Sequence, residues 1–247
     1  LSADMQAWPE LLPFMLSATK SGNANMHEAA LTIFNALSEF MCHKSRVSYH
    51  AVLLDVFQTS LQPDQPMLVR TAALKAIASF LLALEDSNSR TAFANLVPLM
   101  LRAISDALQQ GDEAEVRSAL EVFVEVAESQ PKFLKKNIVD CVSGMIAISS
   151  NTDLEDATRH LALEFLLTIA ENAPAQAKKI GTFCQQVVPV ALGMMLEIEC
   201  DTPEELQEWE EQEEDEEDTE ITNYDVGEEA LDRLAIAMGG KVMVLVL

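Results

Sequence analysis

Apolar residues recur along this chain at three- and four-residue spacing rather than in alternation, and the pattern itself repeats. The dipeptide Ala-Leu stands inside such segments at Ala30-Leu31, Ala73-Leu74, Ala119-Leu120, Ala162-Leu163 and Ala230-Leu231. The first four are 43, 46 and 43 residues apart, and the fifth follows after 68. Four residues after each alanine lies Phe34, Ile77, Phe123, Leu166 or Leu234, and seven after lies Leu37, Phe80, Val126, Ile169 or Ala237. Offsets of four and seven share one helical face, so these residues are the expected buried side of a recurring helix.

Ahead of each such helix runs another apolar helical segment, over about 8–19, 47–61, 90–110, 132–150 and 175–198. Turn chemistry falls between segments at Ser21-Gly22-Asn23, Gln62-Pro63-Asp64, Gly111-Asp112 and Asn172-Ala173-Pro174. Gly111-Asp112 and Asn151-Thr152-Asp153 also offer N-caps to the helices that follow. A unit of about 43 residues with two helices is longer than a tetratricopeptide or ankyrin repeat and matches the HEAT or armadillo length. The expected fold is therefore all-α: a right-handed α-solenoid of about five HEAT repeats, two antiparallel helices per repeat. Their bounds fall near 8–43, 47–85, 88–129, 131–172 and 174–247. The 68-residue interval puts about 25 extra residues inside the last repeat, as an acidic loop over 201–226.

Composition agrees, with 49% apolar residues for a core but only 8 Gly and 9 Pro among 247 residues, too few turn formers for a β-sandwich. The formal net charge is -24. Residues 197–229 hold 18 Asp or Glu and no Lys or Arg, which leaves -6 for the rest. Such a chain does not suit nucleic acid or an anionic membrane and suits a basic partner. The run Glu213-Glu214-Asp215-Glu216-Glu217-Asp218 repels itself and is expected to be a disordered loop, with a short helix around 204–209.

Cys42, Cys141, Cys184 and Cys200 form no CxxC and read as reduced core residues rather than zinc ligands. No catalytic signature appears. His27-Glu28 lacks the second His of HExxH, Gly239-Gly240-Lys241 lacks the upstream Gly and the Ser or Thr of a P-loop, and Cys42-His43 with His50 lacks an orienting carboxylate. No cofactor, metal or enzymatic activity is expected. No apolar run is long enough to span a bilayer. The chain starts at Leu1 and stops inside the apolar run 242–247, as a fragment of something longer would.

A second set of charges lies on the predicted second helices. Glu121 and Glu164 stand two residues after the repeat alanines, Glu125 six after, and Glu39, Glu128 and Glu171 nine after. Offsets two, six and nine oppose the core face, so stacked repeats would align these side chains as an acidic stripe. Phe14, Phe57, Met100 and Met145 on the first helices are taken as core.

The segment Gly227-Glu228-Glu229-Ala230-Leu231-Asp232-Arg233-Leu234-Ala235, followed by Met238-Gly239-Gly240-Lys241 directly after an acidic run, resembles the importin-β, or karyopherin-β, nuclear transport receptors, in the branch of importin five, also called importin-β3. Leu161-Ala162-Leu163-Glu164 and residues 194–199 add to the likeness, which covers the chain as about five repeats from the amino-terminal half of a receptor. The resemblance implies a non-catalytic receptor that shuttles between cytoplasm and nucleus. Implied partners are Ran-GTP at the acidic loop, basic cargo signals such as those of histones or ribosomal proteins on the second helices, and phenylalanine-glycine repeats of nucleoporins. Two alternatives stay open on the sequence, a generic HEAT scaffold subunit and an acidic histone chaperone.

Overall fold

The structure is a computed structural model that describes residues 10–42, 49–84, 87–197, 221–240, 242 and 245. Among the described residues every regular element is helical. The longer helices alternate as first and second members of successive pairs. They are α1 (Leu11–Ala18) with α2 (Ala24–Ala36), α3 (His50–Ser60) with α4 (Met67–Ala83), α5 (Val97–Gln110) with α6 (Glu113–Ser129), α7 (Ile138–Ser149) with α8 (Asp156–Asn172), and α9 (Phe183–Met195) with α10 (Asn223–Met238). The chain forms two compact units, 1–144 and 145–247, divided within α7. None of the described helices is long and apolar enough to cross a membrane.

Local sequence accounts for the helix ends. Asn23 accepts from the backbone N–H groups of Asn25 and Met26 at 3.0 and 3.2 Å, and the preceding turn uses Gly22 at φ 72°. Gly111, at φ 70°, ends α5, and Asp112 then caps α6 by accepting from the Glu115 N–H. Thr222 and Asp225 close a reciprocal capping box on α10. The cap expected at 151–153 is not used: Asn151 accepts from the Asp153 N–H in a local turn, and α8 begins only at Asp156, with Glu155 at its cap. The first-helix segments expected to be continuous over 90–110, 132–150 and 175–198 are each broken. Ser87–Phe93 and Ala94–Leu96 precede α5, Pro131–Lys136 precedes α7, and Pro174–Ala177 precedes α9. Pro98, Pro131 and Pro174 each start one of these pieces, where a missing N–H and a fixed φ favour a helix start over a helix interior.

In the first unit the second helices stack in order, α2 on α4 and α4 on α6; in the second, α10 packs on both α9 and α8. Phe34, Ile77, Phe123, Leu166 and Leu234 are all fully buried, so the face four residues after each repeat alanine is the core face. Phe57 meets Phe80 and Phe93 edge-on, with centroids 5.3 and 6.0 Å apart. Cys42, Cys141 and Cys184 are buried and not in disulfides, and burial pushes Cys42 and Cys141 up to about 12, so neither ionises at neutral pH.

Buried polar pairs recur in the same register. In three of the five repeats the third residue before the alanine is polar, His27, Arg70 or Arg159, and each reaches the next first helix or its end, whereas the third repeat has the buried Val116 there. His27 pairs with Ser60 at 2.8 Å, Arg70 with Asp106 at 2.8 Å, and Arg159 with Glu197 at 2.6 Å. Because the Ser60 hydroxyl donates to the Val56 carbonyl, its lone pair accepts from His27 Nε2–H. Gly227 holds this register position in the last repeat, against the backbone of α9.

Candidate functional site

The sequence offers carboxylates as its functional groups, and the structure treats them differently from helix to helix. On α6 of the first unit, Glu121, Glu125 and Glu128 are exposed. Val122, Phe123, Val126 and Ala127 fill the opposite face and fix that orientation. Glu39, which belonged to the expected stripe, is also exposed, beyond the end of α2 in the short helix Ser38–Met41.

On α8 of the second unit the glutamates are already engaged. Arg233, on α10, donates through Nη1 and Nη2 to Glu164 at 2.7 and 2.9 Å, and through Nε and Nη2 to Glu171 at 2.8 and 2.9 Å. Glu229 adds a longer contact at 3.4 Å. Hydrogen bonding to Arg233 holds the Glu171 carboxyl below its ordinary range. The same bonds, first to Glu171 and then to Glu164, raise the Arg233 pKa further. Two of the five helix glutamates singled out for binding therefore form a cross-helix seam.

A second seam closes the other end of α8. Arg159, 4% exposed at its side chain, forms a two-pronged pair with Glu197 at 2.7 and 2.6 Å and also donates to Asp156 at 2.9 Å. Hydrogen bonding to Glu197 is the main reason its pKa is raised. Asn223 donates to Glu197 at 2.9 Å and accepts from His160 Nε2 at 2.5 Å. Glu197 and Asn223 flank residues 198–220, so the chain leaves and rejoins the described structure at one polar junction on α8. Glu213, Glu214, Asp215, Glu216, Glu217 and Asp218 lie outside the described residues, as do the expected short helix at 204–209 and Cys200.

Sequence reasoning missed Arg159 and Arg233. A signal for the first was present, since His27, Arg70 and Arg159 share one register position where an amphipathic helix would carry an apolar residue. Arg233 stands inside the segment 230–235, and nothing in that segment's own pattern points to the glutamates of the preceding repeat. On the first helices, Phe57, Met100 and Met145 are core, whereas Phe14 is 59% exposed. Leu11, Met15 and Ala18 form the inner face of α1, and Phe14 falls outside it.

Comparison with known proteins bears on these surfaces. A family profile described as "IPO5-like, TPR repeats" matches residues 1–144, and one described as "Importin repeat" matches residues 151–245. Importin subunit beta-3 of Saccharomyces cerevisiae is 30% identical over 97% of this chain and 21% of its own length. The solved structure of the karyopherin Kap121p bound to RanGTP is similar with a TM-score of 0.80 at 30% identity, over 96% of this chain and 22% of that one. Kap121p bound to Nup53p gives 0.81 at 30% identity over the same shares. The fold class is thus the all-α HEAT-repeat solenoid, and the chain spans about a fifth of the length of these relatives.

Proposed function

The chain belongs to the importin-β family, in its IPO5-like branch, and on that premise we propose that it is the part of a nuclear import receptor that captures Ran-GTP and basic cargo through acidic surfaces. It works by binding, without catalysis. Among the helix glutamates considered for binding, Glu121, Glu125 and Glu128 on α6 remain exposed for a basic partner, because Arg233 already engages Glu164 and Glu171; the run Glu213 to Asp218 adds six acidic residues in sequence. A polyanionic run attracts a basic protein within about a Debye length and raises its association rate. Exposed helix glutamates then add short-range pairing. The receptor of which this chain is part would shuttle between cytoplasm and nucleus, and Phe14, exposed on α1, is the one of the four first-helix candidates left open to a nucleoporin segment.

The observation that carries this proposal is the concentration of 18 acids and no bases in residues 197–229 of a family member similar to a RanGTP-bound karyopherin. Pull-down of Ran loaded with GTP or GDP, with core histones as a third bait, tests it. Retention of the GTP form alone among the two Ran states supports a transport receptor. Indifference to both states indicates a scaffold, and histone capture regardless of Ran indicates a chaperone.

A further inference from the structure

Two stretches 43 residues apart share one plan: Pro131-Lys132-Phe133-Leu134-Lys135-Lys136 and Pro174-Ala175-Gln176-Ala177-Lys178-Lys179. Each follows a second helix, α6 or α8, and leads into a first helix, α7 or α9. The residue before each proline has nearly the same backbone, φ -137° and ψ 52° at Gln130, φ -136° and ψ 48° at Ala173. The chain therefore turns the same way in both repeats. Phe133 and Leu134 in one, and Ala177 in the other, are buried beneath the turn. Lys135, Lys136, Lys178 and Lys179 are left outward and exposed, with Lys132 beside the first pair.

Against 40 acidic residues, Arg70, Arg102, Arg159 and Arg233 each pair with a carboxylate. Among the described residues, none of the five turn lysines does. Lys136 Nζ instead donates to Asn95 Oδ1 at 3.4 Å, and Asn95 belongs to Ala94–Leu96, the turn that leads into α5. In the first unit, then, two successive lead-in turns lie side by side, and each unit has one lead-in turn that carries an exposed lysine pair.

We propose that these lysine pairs are docking points for an acidic, extended peptide segment of a partner protein. Adjacent ammonium groups without a local counter-charge attract carboxylates, and lysine, a mobile point charge, selects charge density rather than one side-chain geometry. A narrow peptide can reach the turns singly. Nucleic acid or an anionic vesicle presents dense charge over a wide face and meets the repulsion of a chain carrying -24. The site takes the opposite charge to the acidic surfaces, so its success or failure is independent of Ran or basic cargo.

The test is a titration of a fluorescein-labelled peptide of alternating Glu and Gly with the full chain, read by anisotropy at low and physiological salt. Binding should be measurable at low salt and weaken as salt rises. The changes Lys135→Glu, Lys136→Glu, Lys178→Glu and Lys179→Glu combined in one chain should weaken it about tenfold, and either pair alone should remove one of two like sites. Lys75→Glu, an exposed lysine on α4 outside the register, should leave it unchanged. All are surface changes, and circular dichroism checks that the variants fold. Absence of binding at low salt overturns the proposal. So does equal weakening by Lys75→Glu, which would mean general charge attraction, or tighter binding of single-stranded DNA or phosphatidylserine vesicles through the same lysines.

Discussion

Replacing Gly227 by alanine sets two known effects of opposite sign against each other. Gly227 sits in the first turns of α10, where alanine ordinarily stabilises a helix by about 0.5–1 kcal/mol relative to glycine. A Cβ at this position would stand 2.5 Å from the Ala191 carbonyl oxygen and 2.6 Å from Met195 Cγ. The methionine can swing away, but the carbonyl is fixed inside α9. Restoring normal contact requires α10 to withdraw by about 1 Å, and overpacking of this kind costs about 1–3 kcal/mol. The clash should win, for a net loss of about 1–2 kcal/mol and a fall in Tm of about 2–8 °C for a chain of this size. Gly193, on α9, has nothing within 4 Å of its Cβ position, so Gly193→Ala should gain the propensity term alone. Urea titration and calorimetry of the two variants therefore ought to give opposite signs. The close seating also aligns Arg233 with Glu164 and Glu171, so Gly227→Ala should raise the Glu171 pKa toward its ordinary value, visible by carboxyl NMR. A Gly227→Ala protein as stable as Gly193→Ala would refute the close-approach argument.

Burial lowers the pKa of His27 below its ordinary 6.5, so the folded state favours the neutral ring. The associated stability is full above about pH 6.5 and is lost as pH falls through the lower folded value; His27→Gln should flatten urea-midpoint profiles between pH 7 and 5. Phe123→Ala should cost about 3–5 kcal/mol and Phe14→Ala less than about 0.5 in the same titration, because one side chain is fully buried and the other is 59% exposed. Arg70 is buried, pairs with Asp106 through Nη1, and leaves Nε and Nη2 without a partner. Arg70→Met should thus cost less than about 2 kcal/mol, well below the 3–5 of a fully buried broken pair, since the partly exposed Asp106 can rehydrate. A larger loss on chemical denaturation would mean that the pair contributes more than its geometry implies.

The helical repeat was legible in the sequence because it depends on one residue type per position, read five times over. Phe34, Ile77, Phe123, Leu166 and Leu234 are interchangeable apolar residues in a fixed register, and burial follows from the register alone. The breaks ahead of α5, α7 and α9 were not legible, since apolar residues continue through them and only the prolines interrupt. Charges were harder. Glu121, Glu125, Glu128, Glu164 and Glu171 all lie opposite the core, yet solvent and a neighbouring helix are indistinguishable in a helical projection. Whether a glutamate faces water or Arg233 depends on the axial offset between α8 and α10, which is set partly by Gly227 and is absent from either helix's own pattern. The polar residues at the third position before the repeat alanine look like flaws in an apolar face until the next first helix supplies Ser60, Asp106 or Glu197.

The central claim is that acidic side chains of this chain capture a basic partner, and stopped-flow association of Ran-GTP with the full-length receptor tests it most directly. Glu213, Glu214, Asp215, Glu216, Glu217 and Asp218 would be changed together to Gln or Asn, with Glu164→Gln and Glu171→Gln in a second variant. The neutralised run should slow association and flatten its dependence on salt while leaving the unfolding midpoint unchanged. The second variant should change the association rate far less, because Arg233 already holds those two groups in ion pairs. Unchanged association in the first variant, or slowing only in the second, would contradict the account.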